Sequence, residues 1–201
     1  MTNDLHRVMH GVAIRKHGDA AEIAGLADLP LDKVQNVLAH ALAGGRVSEI
    51  DGKYLLTACG QMMLAGEYSR FNDSLRSNAE FVAAYQRFEV INRDLKQLIT
   101  DWQTMELGGK RVANDHSNKS YDERVIARLG DLHERFEPIL NKLCSGEPRL
   151  KVYRNKLGVA LEKTEDGNTA WVSDAKLDSY HTVWFELHED LLRILGHERE
   201  E

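Results

Sequence analysis

The sequence predicts a mainly α-helical protein in two parts: a short N-terminal module that closes with a two-stranded ribbon, then a C-terminal antiparallel helical bundle. Three observations carry this. In residues 31–57, Val34, Leu38 and Leu42, with Val37 and Ala41 beside them, recur at three- and four-residue spacing until Gly44-Gly45, where a left-handed C-cap forms readily. Two short extended runs follow, 46–50 and 53–57, joined by Asp51-Gly52, a dipeptide that supplies the positive φ of a tight hairpin. From residue 79 the apolar period becomes long and helical, and the stretch before it, 67–78, is polar and carries turn formers. The predicted organisation is a domain at 1–66, a linker at 67–78 and a second domain at 79–201.

Taken in order, residues 4–16 place Leu5, Val8, Met9, Val12 and Ala13 on one face of a first helix, which Gly18 ends. Asp19 is positioned to cap a second helix at 20–27, with Glu22 three residues on as in a capping box. Ile23 and Leu26 then face inward, and Leu29-Pro30 turns the chain into the third helix. Three helices followed by a ribbon is the order of a winged helix-turn-helix with a two-stranded wing. Residues 60–64 form a short linking helix after it.

In the bundle, Phe81, Tyr85, Phe88, Asn92, Leu95, Ile99 and Trp102 follow one stripe of a long first helix. Residues 105–120 contain Gly108-Gly109 and Asn114-Asp115-His116-Ser117-Asn118 without an apolar period, which predicts a long loop. A second helix begins at Tyr121, with Ser120 as its cap, and carries Val125, Leu129, Leu132, Phe136, Ile139 and Leu143 past Pro138. A third starts at Glu147-Pro148 with Leu150, Tyr153, Leu157, Ala160 and Leu161 inward. Residues 165–173 read as a turn or short hairpin anchored by Trp171, and 174–195 as a fourth helix with Leu177, His181, Trp184, His188, Leu191 and Leu195 on its stripe. Residues 197–201 are a solvated tail. An antiparallel bundle is the most economical fold for four such helices.

The series Val34, Leu38, Leu42, Gly45, Val47, Gly52, Tyr54, Leu56-Thr57 and Gly60 resembles the recognition helix and wing of the MarR/GntR-type winged-helix transcriptional regulators of bacteria, over about a third of the chain. The resemblance implies a helix in the DNA major groove and a wing on the backbone. On this chain it assigns double-stranded DNA contacts to Lys33, Gln35, Asn36 and His40 on the helix and to Arg46 and Lys53 at the ribbon. Where those regulators carry arginines on the helix and wing tip, this wing tip is acidic, with Glu49 and Asp51.

Length and composition allow two small domains or one with a substantial core. Hydrophobic residues at 42% and charged ones at 29% are ordinary for a soluble protein. Two cysteines, Cys59 and Cys144, make no disulfide framework, and the polar N-terminus and lack of a long apolar run point to the cytoplasm and to no membrane partner. Residues 1–66 hold six basic side chains and seven acidic ones, 6 − 7 = −1, although counterion release normally gives a DNA-binding domain a basic footprint. Two copies acting together, a homodimer, would meet that shortfall.

In the bundle, Asn92, His133, His181 and His188 interrupt or flank apolar stripes. Buried without partners, such groups cost about 1–3 kcal/mol each, so they complete core hydrogen bonds or line a small-molecule effector pocket walled by Trp102, Tyr180 and Trp184. His181 and His188, seven apart, lie about 10 Å apart along a helix and cannot share an ion. Asp178 and His181 share a face, and the resemblance implies an aspartate and several histidines as metal ligands in all-helical GntR-type effector domains. No metal site or cofactor is assigned, since the second Glu-x-x-His of a di-iron bundle is absent. Residues 107–110 lack the strand and spacing of a phosphate loop, and no serine elbow or catalytic cysteine appears, so no catalytic residue is assigned. The expected function is a DNA-binding transcriptional regulator with a helical effector or dimerisation domain. The alternatives are a winged-helix protein-interaction module without DNA binding and, further off, a ligand- or metal-binding bundle enzyme.

Overall fold

The computed structural model describes residues 4–198. Along the chain run α1 (Asp4–Arg15), α2 (Ala20–Ala27), α3 (Leu31–Ala43), β1 (Val47–Ile50), β2 (Lys53–Leu56), α4 (Ala58–Arg76), α5 (Ala79–Gln103), β3 (Thr104–Leu107), β4 (Lys110–Ala113), α6 (Lys119–Gly146), a 3-10 turn (Pro148–Leu150), α7 (Lys151–Glu165), α8 (Ala170–Ser173) and α9 (Tyr180–Leu195). The protein is mainly helical, with two separate two-stranded antiparallel sheets. No helix among the described residues is long and apolar enough to cross a membrane.

The domain division differs from the expected one. The first unit takes the chain through Ala79 but also Glu147–Val152 and the chain from Glu186 onward, and the second comprises Glu80–Gly146 and Tyr153–Phe185. Strip 67–78 is not a linker: α4 continues unbroken to Arg76. Leu64, Tyr68, Asn72 and Leu75 are buried along it at helical spacing, an inward stripe hidden in the sequence by its polar member and by the polar residues between. His197 and Glu198 are exposed, and the rest of the expected solvated tail lies outside the described residues.

In the first unit, α1, α2 and α3 enclose a core of Val8, Met9, Val12, Ile23, Val34, Leu38 and Ala41, joined by Val47 of β1 and by Leu64 and Tyr68 of α4. The capping box is present: the Asp19 carboxylate accepts from the amides of Ala21 and Glu22, and Glu22 accepts from the Asp19 amide. β1 and β2 pair from Val47↔Leu56 to Ile50↔Lys53, and Asp51 and Gly52 at the tip take φ of 52° and 76°, the left-handed pair that matches hairpin twist. Leu42, expected inward, is 41% exposed, and Ala41 is buried in its place. At about 100° per residue, position 41 returns to within about 20° of Val34, whereas 42 is about 80° away. The start of α4 lies against the entry to β1 so closely that a Cβ on Gly60 would collide with the Arg46 carbonyl oxygen. Thr57 ties this corner, donating its hydroxyl to the Gly45 carbonyl at 2.7 Å and accepting the Gly60 amide at 3.1 Å.

In the second unit the whole predicted α5 stripe from Phe81 to Trp102 is buried. Residues 105–120 are not all loop: Gly108 and Gly109, at φ 59° and 75°, close a β3–β4 hairpin in register Thr104↔Ala113 to Leu107↔Lys110. Its residues are exposed or half-buried, so no alternation of apolar and polar side chains marked it. α6 runs through Pro138, which lies on the exposed side where the carbonyl that loses its helix partner can reach water. Of residues 165–173, 166–167 make a turn and Ala170–Ser173 the helical turn α8, without a hairpin, and Val172 rather than the half-buried Trp171 is the buried anchor. The last helix starts at Tyr180, six residues later than 174.

Candidate functional site

α3 buries Val34, Leu38 and Ala41 and exposes Lys33, Gln35, Asn36 and His40. Lys33, Asn36 and His40, three and four apart, share one side, while Gln35 lies about 200° around the axis from Lys33. The six residues assigned to DNA therefore form two shoulders of one helix plus the hairpin. Lys33 Nζ sits 2.7 Å from Asp4 Oδ2. His40 Nδ1 donates to the Asn36 carbonyl at 2.7 Å, which leaves Nε2 as the acceptor of a neutral ring. Lys53 is exposed at the hairpin end opposite Ile50, and Arg46 is half-buried. Glu49 and Asp51 are exposed on the same hairpin, with Glu49 opposite Tyr54.

The seven bundle residues are not brought to one place. Trp184 Nε1 donates to Asn92 Oδ1 at 3.0 Å, and Asn92 Nδ2 donates to Glu89 Oε2 at 3.2 Å. The Trp184 ring stacks on Phe88 at 5.0 Å and meets Phe136 at 4.5 Å and Tyr180 at 6.1 Å, a filled aromatic core. His133 Nδ1 lies 3.0 Å from the Tyr180 hydroxyl. Trp102 is elsewhere, its ring 4.4 Å from His116, which is held by Asp122 at 3.0 Å. His181 is half-buried and burial lowers its pKa. Asp178, its expected partner for an ion, lies 3.0 Å from Lys156 Nζ. His188 belongs to the first unit. Trp102 thus stands apart from Tyr180 and Trp184, and Asn92, Tyr180, Trp184 and His133 form the core hydrogen bonds and ring contacts that are the other expectation for these residues.

A buried polar cluster in the first unit escaped the sequence reading. Asp190, on the C-terminal part of α9, is completely buried and accepts from Arg149 Nη1 and Nη2 at 2.6 Å each. Its Oδ1 also lies 2.8 Å from His10 Nε2, and His10 Nδ1 lies 2.7 Å from the Tyr68 hydroxyl. Burial would raise the Asp190 pKa, but the Arg149 charge and the hydrogen bonds from Arg149 and His10 hold it far below the ordinary carboxylate range. An ionised Asp190 only accepts, so His10 Nε2–H donates to it and Nδ1 accepts a hydrogen bond from the Tyr68 hydroxyl. The 3.1 Å approach of Arg149 Nη2 to His10 Nε2 is then a contact between two donors that share one carboxylate oxygen. Burial lowers the His10 pKa and raises that of Tyr68, so both stay neutral and Arg149 and Asp190 cancel.

Above this cluster opens a cleft of about 380 Å³, lined by Asp4, His6, Arg7, His10, Asp28, Asn72, Glu147, Pro148, Arg149 and Ile194. The His6 ring lies 4.5 Å from that of Phe71, tilted by 37°, and its Nδ1 is 3.3 Å from Glu67 Oε2. Burial, followed by the nearby His10 and Arg149, brings its pKa down to about 4. One local signal existed: His6 and His10 stand four apart on the apolar side of the first helix. Glu67, the partner of His6, is 61 residues away, and Tyr68 and Asp190, the partners of His10, are 58 and 180 away, distances for which no sequence spacing exists. Among the described residues no group of three His, Cys, Asp or Glu side chains is placed to hold a metal ion. No protein-family model, curated protein or solved structure matches the chain.

Proposed function

We propose that the protein is a DNA-binding transcriptional regulator. In this reading the first unit is a winged helix similar to those of MarR/GntR-type regulators, with α3 as recognition helix, β1–β2 as wing and a homodimer as the binding form. The observation that carries it is the division of α3: one side is wholly buried by Val34, Leu38 and Ala41, and the other offers Lys33, Asn36 and His40 at helical spacing beside a short hairpin. Amide and lysine side chains on such a helix suit adenine and guanine edges, and Lys53 at the hairpin suits a phosphate. A second reading, docking of a protein, draws on Leu31, Leu42 and Ile50, which are exposed on the same helix and hairpin, and on the acidic Glu49 and Asp51. Selection from a random duplex library followed by fluorescence anisotropy separates them. Asn36→Ala should weaken the selected duplex by about 1–3 kcal/mol and leave random duplex unchanged, while Lys53→Ala should weaken both and lower the salt slope by about 1. Failure of the wild type to enrich any sequence, or to bind duplex at low salt, would leave the docking reading.

A further inference from the structure

We propose that the cleft of the first unit binds a small zwitterion of the α-amino-acid type. Its volume falls within the roughly 300–1,000 Å³ of small-molecule sites. Asn72 is only 7% exposed, lines the cleft, and its amide has no hydrogen-bond partner among the described residues. Buried amides are normally paired, so a polar side chain left open on a cleft wall points to a ligand. His6, 3% exposed, gives a second open group: Nδ1–H donates to Glu67, which leaves Nε2 as an acceptor with no partner among the described residues. The charges of the lining select the ligand class. Arg7 is held by Asp28, Asp4 by Lys33 and Arg149 by Asp190, so neither sign is in large excess. Glu147 is engaged only loosely, 3.8 Å from Arg149 Nε. A simple anion would meet Asp4, Asp28 and Glu147, and a simple cation would meet Arg7 and Arg149. A molecule carrying both charges meets neither conflict. Its ammonium has acceptors in Glu147 and His6 Nε2, and its carboxylate has donors in Asn72 Nδ2 and the guanidinium edges. The neutral state of His6 agrees with this, since an acceptor is needed there.

The test is a thermal-shift titration of the full chain with each common L-amino acid at millimolar concentration, followed by calorimetry, with acetate and methylammonium as single-charge controls. At least one amino acid should raise Tm while acetate and methylammonium do not. Asn72→Ala should melt close to wild type, since its amide has no hydrogen-bond partner among the described residues, and should bind that amino acid at least tenfold more weakly. Glu147→Gln, a conservative change at a partly exposed position, should do the same. No response to any amino acid, an equal response to acetate or methylammonium alone, or unchanged affinity in both variants would overturn the proposal. None of these results bears on duplex binding by α3.

Discussion

Replacing Asp190 by alanine removes the acceptor on which Arg149 and His10 converge. Asp190 is fully buried and Arg149 nearly so, and the pair is bidentate at 2.6 Å with a third bond to His10 at 2.8 Å. The variant leaves the nearly buried Arg149 guanidinium without its bidentate partner; with Glu147 still 3.8 Å away and the cleft beside it, the cost falls toward the lower end of the roughly 3–5 kcal/mol of a broken buried pair. Against a native stability of about 5–15 kcal/mol, that is a large fraction. The loss should appear in urea denaturation as a lower midpoint at unchanged slope. Arg149→Ala should cost a similar amount, partly relieved because His10 can then protonate beside the carboxylate. The double change Asp190→Leu with Arg149→Met removes both charges and leaves the His10 N–H without its acceptor, at about 1–3 kcal/mol. The double variant should therefore be more stable than Asp190→Leu alone, and the cycle closed by Asp190→Leu and Arg149→Met as the single changes should show a coupling of at least about 2 kcal/mol. If Asp190→Ala lies within about 1 kcal/mol of wild type, or if the cycle is additive, the buried pair does not hold the C-terminal part of α9 to α1 as argued.

Two further predictions concern acid and the aromatic core. His6 and His10 have folded pKa values below their ordinary 6.5, about 4 for His6, so the unfolded chain binds protons first; stability is full above pH 6.5 and falls as pH drops toward 4. His6 contributes on the order of 2 kcal/mol to that fall after allowance for its contact with the open cleft. The depressed Asp190 extends the fall below the ordinary carboxylate range, and urea midpoints measured across pH should show both, with His6→Gln flattening the upper part. A flat profile there would contradict the buried neutral imidazoles. In the second unit, Asn92→Ala leaves the buried Trp184 Nε1–H without its acceptor and should cost about 1–3 kcal/mol with a shift in tryptophan fluorescence. A neutral effect would mean that the amide does not hold the indole.

The sequence by itself determined what depends on near neighbours. The Asp19 capping box, the Asp51-Gly52 turn and the α5 stripe from Phe81 to Trp102 rest on dihedral preference or on helical period, and each is found where the residues placed it. The same local logic missed α4, where Asn72 breaks the apolar stripe, and the β3–β4 hairpin, whose residues have no buried face to alternate against. Tertiary structure decided what depends on distant chain. That α9 changes unit at residue 186, that the 3-10 turn carries Arg149 into the first unit, and that Asp190 meets His10, itself bonded to Tyr68, are consequences of burying charges that need partners, wherever the chain supplies them. A histidine on an apolar helix face announces that some partner is required. Only the fold supplies which one, because desolvation makes an unpaired charge costly without making any particular spacing favourable.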